Sequence, residues 1–140
     1  MTSAARLNEL RRALAADRTI DITTTGARTG TPRTIEIWYH YIEEKVYICG
    51  IPGEANNPSK RRPRSWLANL RANPEFDFSL KESLQETLPA RARELTDRTE
   101  RAAVMLAPQT QWYREQGHEL DDLIDNAPLI EVNFYFALAR

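Results

Sequence analysis

Leucines spaced three and four residues apart near the start of the chain predict an amphipathic helix. Leu7, Leu10 and Leu14 fall on one face of a helix over residues 4–17, and arginine and glutamate occupy its other faces. We expect this helix to cover the hydrophobic core. A terminal helix of this kind can also cover a ligand or dock on a membrane, and the sequence leaves both alternatives open.

After the helix, apolar and polar residues alternate, which is typical of half-buried strands. Glycine and proline within residues 26–33 favour a turn between the first two strands, and Glu43 and Glu44 mark a turn before the third. The three predicted strands contain Ile20 and Ile22, then Ile35 and Ile37, then residues 46–48.

The second half of the chain mixes predicted helices with predicted strands. Pro63 suits the first turn of a helix, and Asn73 with Pro74 ends it. The further predicted elements are a strand around Phe76 and Phe78, a strand over 88–95 with Pro89 at an edge or strand start, a helix capped by Asp97, one or two short helices within 111–124, and a closing strand over 128–138.

Many short strands with a few helices predict an α+β fold that is mainly β. The strands and helices do not alternate regularly, which argues against a doubly wound parallel sheet. A closed or nearly closed barrel is favoured, because closure removes exposed sheet edges and leaves space for a ligand at the rim. The 140 residues fit one domain over 1–140, with short helices at its periphery.

Composition narrows the function further. Lys and Arg total 19 against 20 for Asp and Glu, so the net charge of -1 does not favour nucleic-acid binding. The single cysteine, Cys49, cannot form an internal disulfide, and no Cys and His residues have metal-ligand spacing. No stretch resembles a signal peptide or a transmembrane segment. We therefore expect a cytoplasmic protein without a metal.

Two basic segments can form a local anion site. Arg28 and Arg33 lie in the glycine-containing turn, where forked guanidinium donors and close backbone approach suit phosphate. Residues 60–64 (KRRPR) carry four positive charges just before the predicted helix, whose N-terminal amides also favour anions. Taken alone, the turn is better explained as a solvated hairpin with two surface arginines, and residues 60–64 also fit a solvated loop. Contact with nucleic-acid phosphates is the less favoured alternative.

Other residues with useful chemistry point to packing rather than catalysis. Aromatic residues 38–41 alternate as strand residues do, and Trp112 with Tyr113 can either pack or close a substrate pocket. His40 and His118 have no identifiable carboxylate or serine partner, and Cys49 is expected to be a small buried residue. The sequence therefore identifies no catalytic residue.

Four segments, read in order, carry a family resemblance. They are residues 21–33 (DITTTGARTGTPR), 36–39 (EIWY), 50–53 (GIPG) and 65–74 (SWLANLRANP). Together they resemble the deazaflavin (F420)-dependent nitroreductase family over roughly residues 20–81. Ala27 stands where that family usually has the first of two adjacent basic residues.

The resemblance implies a split β-barrel of the flavin-binding oxidoreductase group, commonly a homodimer, that binds coenzyme F420. It implies that the basic turn contacts the cofactor's phosphate and acidic tail, that the loop after the third strand contacts the ring, and that the following segment supports binding. The residues implicated in these roles are Arg28 and Arg33, then Gly50, Ile51, Pro52 and Gly53, and then Lys60, Arg64, Ser65 and Trp66.

The implied reaction is two-electron reduction, with a hydride passing from reduced F420 to a small-molecule acceptor such as a quinone, nitroaromatic or activated enone. Since the cofactor carries the chemistry, the lack of an evident acid or nucleophile fits this activity. Three alternatives remain: an oxidoreductase of the same fold that uses flavin mononucleotide (FMN), a non-catalytic protein that binds a cofactor, lipid or tetrapyrrole, and an interaction module for anionic partners.

Overall fold

A computed structural model describes residues 3–52 and 65–139 of the chain. Its helices are α1 (Ala4–Ala16), α2 (Ser65–Ala72), α3 (Arg98–Met105), α4 (Gln111–Glu115) and α5 (Leu120–Asn126), with a short 3-10 turn over Pro108–Thr110. Its strands are β1 (Thr19–Thr25), β2 (Pro32–Trp38), β3 (His40–Ile42), β4 (Lys45–Cys49), β5 (Glu75–Leu80), β6 (Glu86–Glu94) and β7 (Leu129–Phe134).

The seven strands form one antiparallel sheet in the order β2-β1-β5-β6-β7-β4-β3. The sheet curls so that β2, at one edge, lies against β4, which is next to the other edge. Short helices surround it. The predicted α+β, mainly β split barrel with an N-terminal helix is therefore confirmed.

The apolar stripe of α1 covers the main core, as its leucine spacing predicted. Ser3 begins the helix because its Oγ accepts a hydrogen bond from the Arg6 N–H at 3.1 Å. Leu10 and Leu14 are buried against the inner residues of the sheet, among them Ile22 and Phe78. Burial of these side chains supplies most of the free energy that holds α1 in place.

A second, smaller core lies where α3, α4 and α5 pack on the β4 and β7 side of the barrel. Asp97 caps α3 as predicted, since its carboxylate accepts a hydrogen bond from the Glu100 N–H at 3.0 Å. Arg101 is buried, and its guanidinium donates to the carbonyls of Leu95, Ile124 and Ala127. This side chain links the three segments that enclose the second core.

Three sequence predictions need correction. Three strands were expected before residue 50, but the structure has four, because Tyr39 separates β2 from the additional strand β3. The Tyr39 N–H donates to the Arg18 carbonyl, and the Tyr39 hydroxyl donates to the Leu14 carbonyl. Pro89 was expected at an edge or a strand start; the strand start is wrong, since Pro89 lies inside β6, but one side of the strand is unpaired there, as at an edge. It is tolerated there because β6 pairs only with β5 at that point, the β7 ladder beginning at Ala90.

The closing strand is shorter than predicted, ending at Phe134 instead of residue 138. Its C-terminal extension is held by α1, since the Arg11 guanidinium donates to the Leu138 carbonyl at 2.8 Å. Across residues 3–52 and 65–139, no helix has the length and apolar character needed to cross a bilayer.

Candidate functional site

The turn between β1 and β2 is closed by its own backbone. The Gly26 N–H donates to the Thr31 carbonyl at 2.8 Å, and the Gly30 N–H donates to the Gly26 carbonyl at 2.9 Å. A Cβ on Gly26 would come within 2.6 Å of Thr29 Oγ1 and 3.2 Å of the Thr31 carbonyl, so this position requires glycine. The glycine amides expected beside an anion therefore close the turn instead.

This turn, β2 and α2 enclose an open cavity of about 730 Å³. That volume is within the range of sites for small molecules and cofactors. The cavity is lined by Thr24 and residues 26–29, by Arg33, Thr34 and Ile35, and by Ser65, Trp66, Ala68 and Asn69.

Arg28 and Arg33 both line the cavity, as the turn sequence predicted for an anion site. Arg33 lies opposite the buried Thr24 in the β1–β2 ladder, so its side chain leaves the sheet on the inner face. Among the described residues, no carboxylate lines the cavity and neither arginine forms an ion pair. Two guanidinium groups therefore give this concave surface a positive potential.

Helix α2 supplies the opposite wall. Ser65 and Trp66, both predicted as site residues, occupy its first turn and line the cavity. Trp66 is buried on one side among the main core, while its cavity side adds an apolar surface. The wall thus combines an apolar ring with the N-terminal end of a helix, where backbone N–H groups favour negative charge.

Asn69 is a cavity residue that the site prediction missed. It is only 7% exposed on a helix face that otherwise buries Trp66, Leu67 and Leu70. Its Nδ2 donates to Thr24 Oγ1 at 3.0 Å, and its Oδ1 accepts from the Ala27 N–H at 2.9 Å. The signal was present in the sequence, because a polar residue stands three positions after Trp66 on the apolar face.

The first residues after β4, residues 50–52, pack within the described structure. The Gly50 N–H extends the β4–β7 ladder by donating to the Pro128 carbonyl at 2.9 Å, Ile51 packs on the second core, and Pro52 is buried. None of these three lines the cavity. Their contact with a cofactor ring stays a prediction, and Gly53, Lys60 and Arg64 lie outside the described residues.

An aromatic cluster lies at the far end of β2, three residues or about 10 Å along the strand from Ile35. Trp38 and Trp112 are 43% and 45% exposed and meet edge to face, with ring centroids 5.9 Å apart. The Arg18 guanidinium lies 5.2 Å from the Trp38 ring centroid. Trp112 is therefore a surface residue, whereas Tyr113 is buried in the second core.

His40 joins this cluster through Tyr113. Its Nε2 is 2.9 Å from the Tyr113 hydroxyl, and the two rings meet edge to face. Burial, together with the positive charge of Arg18, lowers the pKa of His40 to about 4, so the imidazole is neutral at pH 7. The expectation of a packed histidine is met, and this neutral ring makes one hydrogen bond to a buried phenol.

Cys49 is 6% exposed, and burial raises the pKa of its thiol. It is therefore a packed thiol rather than a nucleophile, as expected. No cluster of three or more potential metal ligands occurs in the part of the chain that the structure describes.

Comparison with known proteins identifies the family of this chain. The model of the family described as F420H(2)-dependent quinone reductase matches residues 5–121. Among proteins of curated function, none matches this sequence.

Solved structures share the fold at low sequence identity. An F420-H2 dependent reductase is 22% identical, covers 83% of this chain and 94% of its own, and superposes with a TM-score of 0.52. A FAD-binding protein from Mesorhizobium loti is 20% identical over 96% of this chain and 91% of its own, with a TM-score of 0.59. A Clostridium acetobutylicum protein related to general stress protein 26, of the pyridoxinephosphate oxidase family, is 14% identical. The match covers 94% of this chain and 89% of that protein, with a TM-score of 0.60.

Proposed function

Because this chain belongs to the F420H(2)-dependent quinone reductase family, a family of oxidoreductases, we propose that it binds reduced F420 in the cavity between the β1–β2 turn and α2. A hydride then passes to a quinone, nitroaromatic or activated enone acceptor. The observation that supports this best is the pair Arg28 and Arg33, two guanidinium groups on one concave surface that have no carboxylate partner among residues 3–52 and 65–139.

The residues present fit the chemistry of such a cofactor. F420 carries a phosphate and an acidic tail, and forked guanidinium donors bind phosphate and carboxylate oxygens in pairs. Trp66 and Ile35 add apolar surface that excludes water from the other part of the cavity. A cavity of about 730 Å³ accommodates part of a molecule of this length, with its remainder extending along the open side.

Reduced deazaflavin supplies a hydride, so the protein's task is binding and orientation rather than acid–base chemistry. Arg28 and Arg33 fix the anionic end, and the wall formed by Ser65 and Trp66 limits how the remainder can lie. A quinone acceptor takes up the hydride and one proton to become a hydroquinone. The buried Cys49 and neutral His40 are not required for this reaction.

The remaining expectations belong to the same proposal. We infer that the single domain over 1–140 binds the deazaflavin and that Gly50, Ile51, Pro52 and Gly53 contact its ring. We also infer that Lys60 and Arg64 support cofactor binding together with Ser65 and Trp66, and that the chain forms a homodimer. Light scattering of the purified protein measures the last of these directly.

Equilibrium binding tests the proposal. Purified protein is titrated with F420 and with FMN in parallel, followed by fluorescence, and oxidation of reduced F420 is then measured with and without menadione. We expect F420 to bind at least 10-fold more tightly than FMN and its oxidation to require both protein and menadione. Protein-free reactions and heat-denatured protein serve as controls.

The other outcomes of this titration and oxidation assay point to different functions. Tighter binding of FMN indicates a flavin enzyme on the same fold, an alternative favoured by the shared fold with a FAD-binding protein. F420 binding without oxidation by any acceptor class indicates a non-catalytic carrier. Binding of neither cofactor contradicts the proposal.

A further inference from the structure

Asn69 is a polar residue on the face of α2 that packs against the core. Burying an amide without hydrogen-bond partners costs about 1–3 kcal/mol, so a leucine would suit this position if only packing mattered. Asn69 instead satisfies both ends of its amide on one neighbouring segment, at Thr24 Oγ1 and at the Ala27 N–H. Thr24 is itself 3% exposed. The polar pair is therefore buried in the wall of the cavity.

The two hydrogen bonds of Asn69 lie next to the two cavity arginines in the chain and in the sheet. Ala27 directly precedes Arg28, and Thr24 is paired with Arg33 in the β1–β2 ladder. The turn already closes itself through two backbone hydrogen bonds, so Asn69 is not needed to form it. What Asn69 adds is a fixed distance and orientation between the turn and α2.

We propose that Asn69, together with Thr24, is a positioning residue that holds the Arg28 and Arg33 turn against α2 and thereby prepares the cavity for the anionic part of the cofactor. This inference rests on the proposed function. Its physical basis is preorganisation, because a guanidinium already held at the binding distance loses less conformational freedom when the anion arrives. Asn69 acts through Arg28 and is not itself a catalytic residue.

The choice of asparagine over aspartate supports an anion site. An aspartate at position 69 can accept hydrogen bonds from both the Ala27 N–H and the Thr24 hydroxyl, so the turn would remain attached. It would also place a negative charge in a cavity whose charged lining residues, within the described chain, are Arg28 and Arg33. The neutral amide keeps the attachment and leaves both arginines available.

Two probes separate positioning from general structure. One is F420, and the other is its ring-and-ribityl portion, which lacks the phosphate and acidic tail. We expect Thr24→Val, which removes only the hydroxyl contact, to weaken F420 binding about 5-fold. Asn69→Leu, which removes both contacts, weakens it about 10-fold or more. Both variants bind the phosphate-free probe within 2-fold of wild type.

Matched variants complete the test. Thr24→Ser keeps the hydroxyl and retains F420 affinity, while Asn69→Asp weakens F420 binding through charge and leaves binding of the phosphate-free probe unchanged. Hydrogen exchange of the Ala27 amide accelerates in Asn69→Leu, and slow exchange in that variant contradicts the attachment.

If Asn69→Leu weakens binding of both probes equally, or weakens binding of neither, the positioning role is overturned. The proposed function still stands in that case, provided that the wild-type protein binds F420. Failure of the wild-type protein to bind F420 overturns the proposed function and this inference with it.

Discussion

Two groups of arginines in this protein differ in their surroundings. On the outer surface, Arg71 pairs with Glu94, Arg93 with Glu100 and Glu131, and Arg98 with Asp121 and Asp125. At the cavity, Arg28 and Arg33 have no such carboxylate among the described residues. The first group neutralises charge on an exposed face, and the second leaves charge concentrated on a concave one.

The difference teaches that arginine content alone does not locate an anion site. The whole chain has a net charge of -1, and the charge of the paired surface arginines is already balanced by their carboxylate partners. The pKa of Glu94 is lowered by its hydrogen bond to Arg71, which is the expected sign of such a satisfied pair. An arginine that lacks a partner inside a cavity remains available for a ligand.

Removing the unpaired arginines gives the largest expected effect. The double variant Arg28→Ala/Arg33→Ala loses two charge-assisted contacts of about 1.5–3 kcal/mol each, so F420 affinity falls about 100-fold or more. Its melting temperature stays near that of wild type, because both side chains are exposed. Fluorescence titration and thermal unfolding measure the two quantities.

Arg12→Ala is the matched control for this change. Arg12 is an exposed arginine of α1 outside the cavity, so the variant changes the net charge without touching the site and retains F420 affinity. If both single variants at Arg28 and Arg33 bind F420 as wild type does, the phosphate-site assignment is discarded.

His40 is a basic side chain that stays neutral, because it is buried and lies near the positive charge of Arg18. Its pKa is lowered from the usual 6.5 to about 4, so its contribution to stability is complete above pH 6.5 and is lost as the pH falls toward 4. Between pH 7 and 4.5 we expect wild type to lose about 2 kcal/mol more of its free energy of unfolding than His40→Gln.

Urea unfolding across this pH range measures the difference. At pH 8 both proteins carry an uncharged side chain at position 40, so a constant offset there reports packing alone. Parallel stability curves for wild type and His40→Gln would show that another group causes the acid sensitivity.

Releasing a surface arginine gives the smallest expected effect. Glu94→Gln removes the partner of Arg71, a pair whose side chains are 55% and 32% exposed, so stability falls by about 0.5 kcal/mol. F420 affinity stays unchanged because Arg71 does not line the cavity. Urea unfolding and cofactor titration check this, with Glu75→Gln, which releases Arg91, as a parallel case. A change in affinity would mean that overall charge, not location, governs binding.

Local sequence signals predicted much of the fold. The leucine spacing of α1, the Asp97 cap and the glycine turn each depend on residues close in the chain, and the structure has all three. The break at Tyr39 was not predictable, because its cause is a pair of hydrogen bonds to α1 and to the residue before β1. Such contacts depend on tertiary packing and leave no mark on the alternation of residues 38–41.

The candidate site was predictable to a similar extent. Arg28 and Arg33 could be found from the turn, and Ser65 and Trp66 from the segment that resembles the family. Asn69 was missed because its role depends on β1 and α2 being neighbours. Gly50 and Ile51 are not among the residues that line the cavity, because they pack against the end of β7 and the second core, contacts that no local pattern contains.

Burial of the single thiol has a consequence for a protein of a quinone-reducing family. Quinones are soft electrophiles that alkylate thiolates, and a reactive cysteine in such a protein would be consumed by its own acceptor. Cys49 is enclosed by the second core, and its raised pKa keeps it in the unreactive protonated form. The Cys49 thiol is thereby shielded from addition to a quinone.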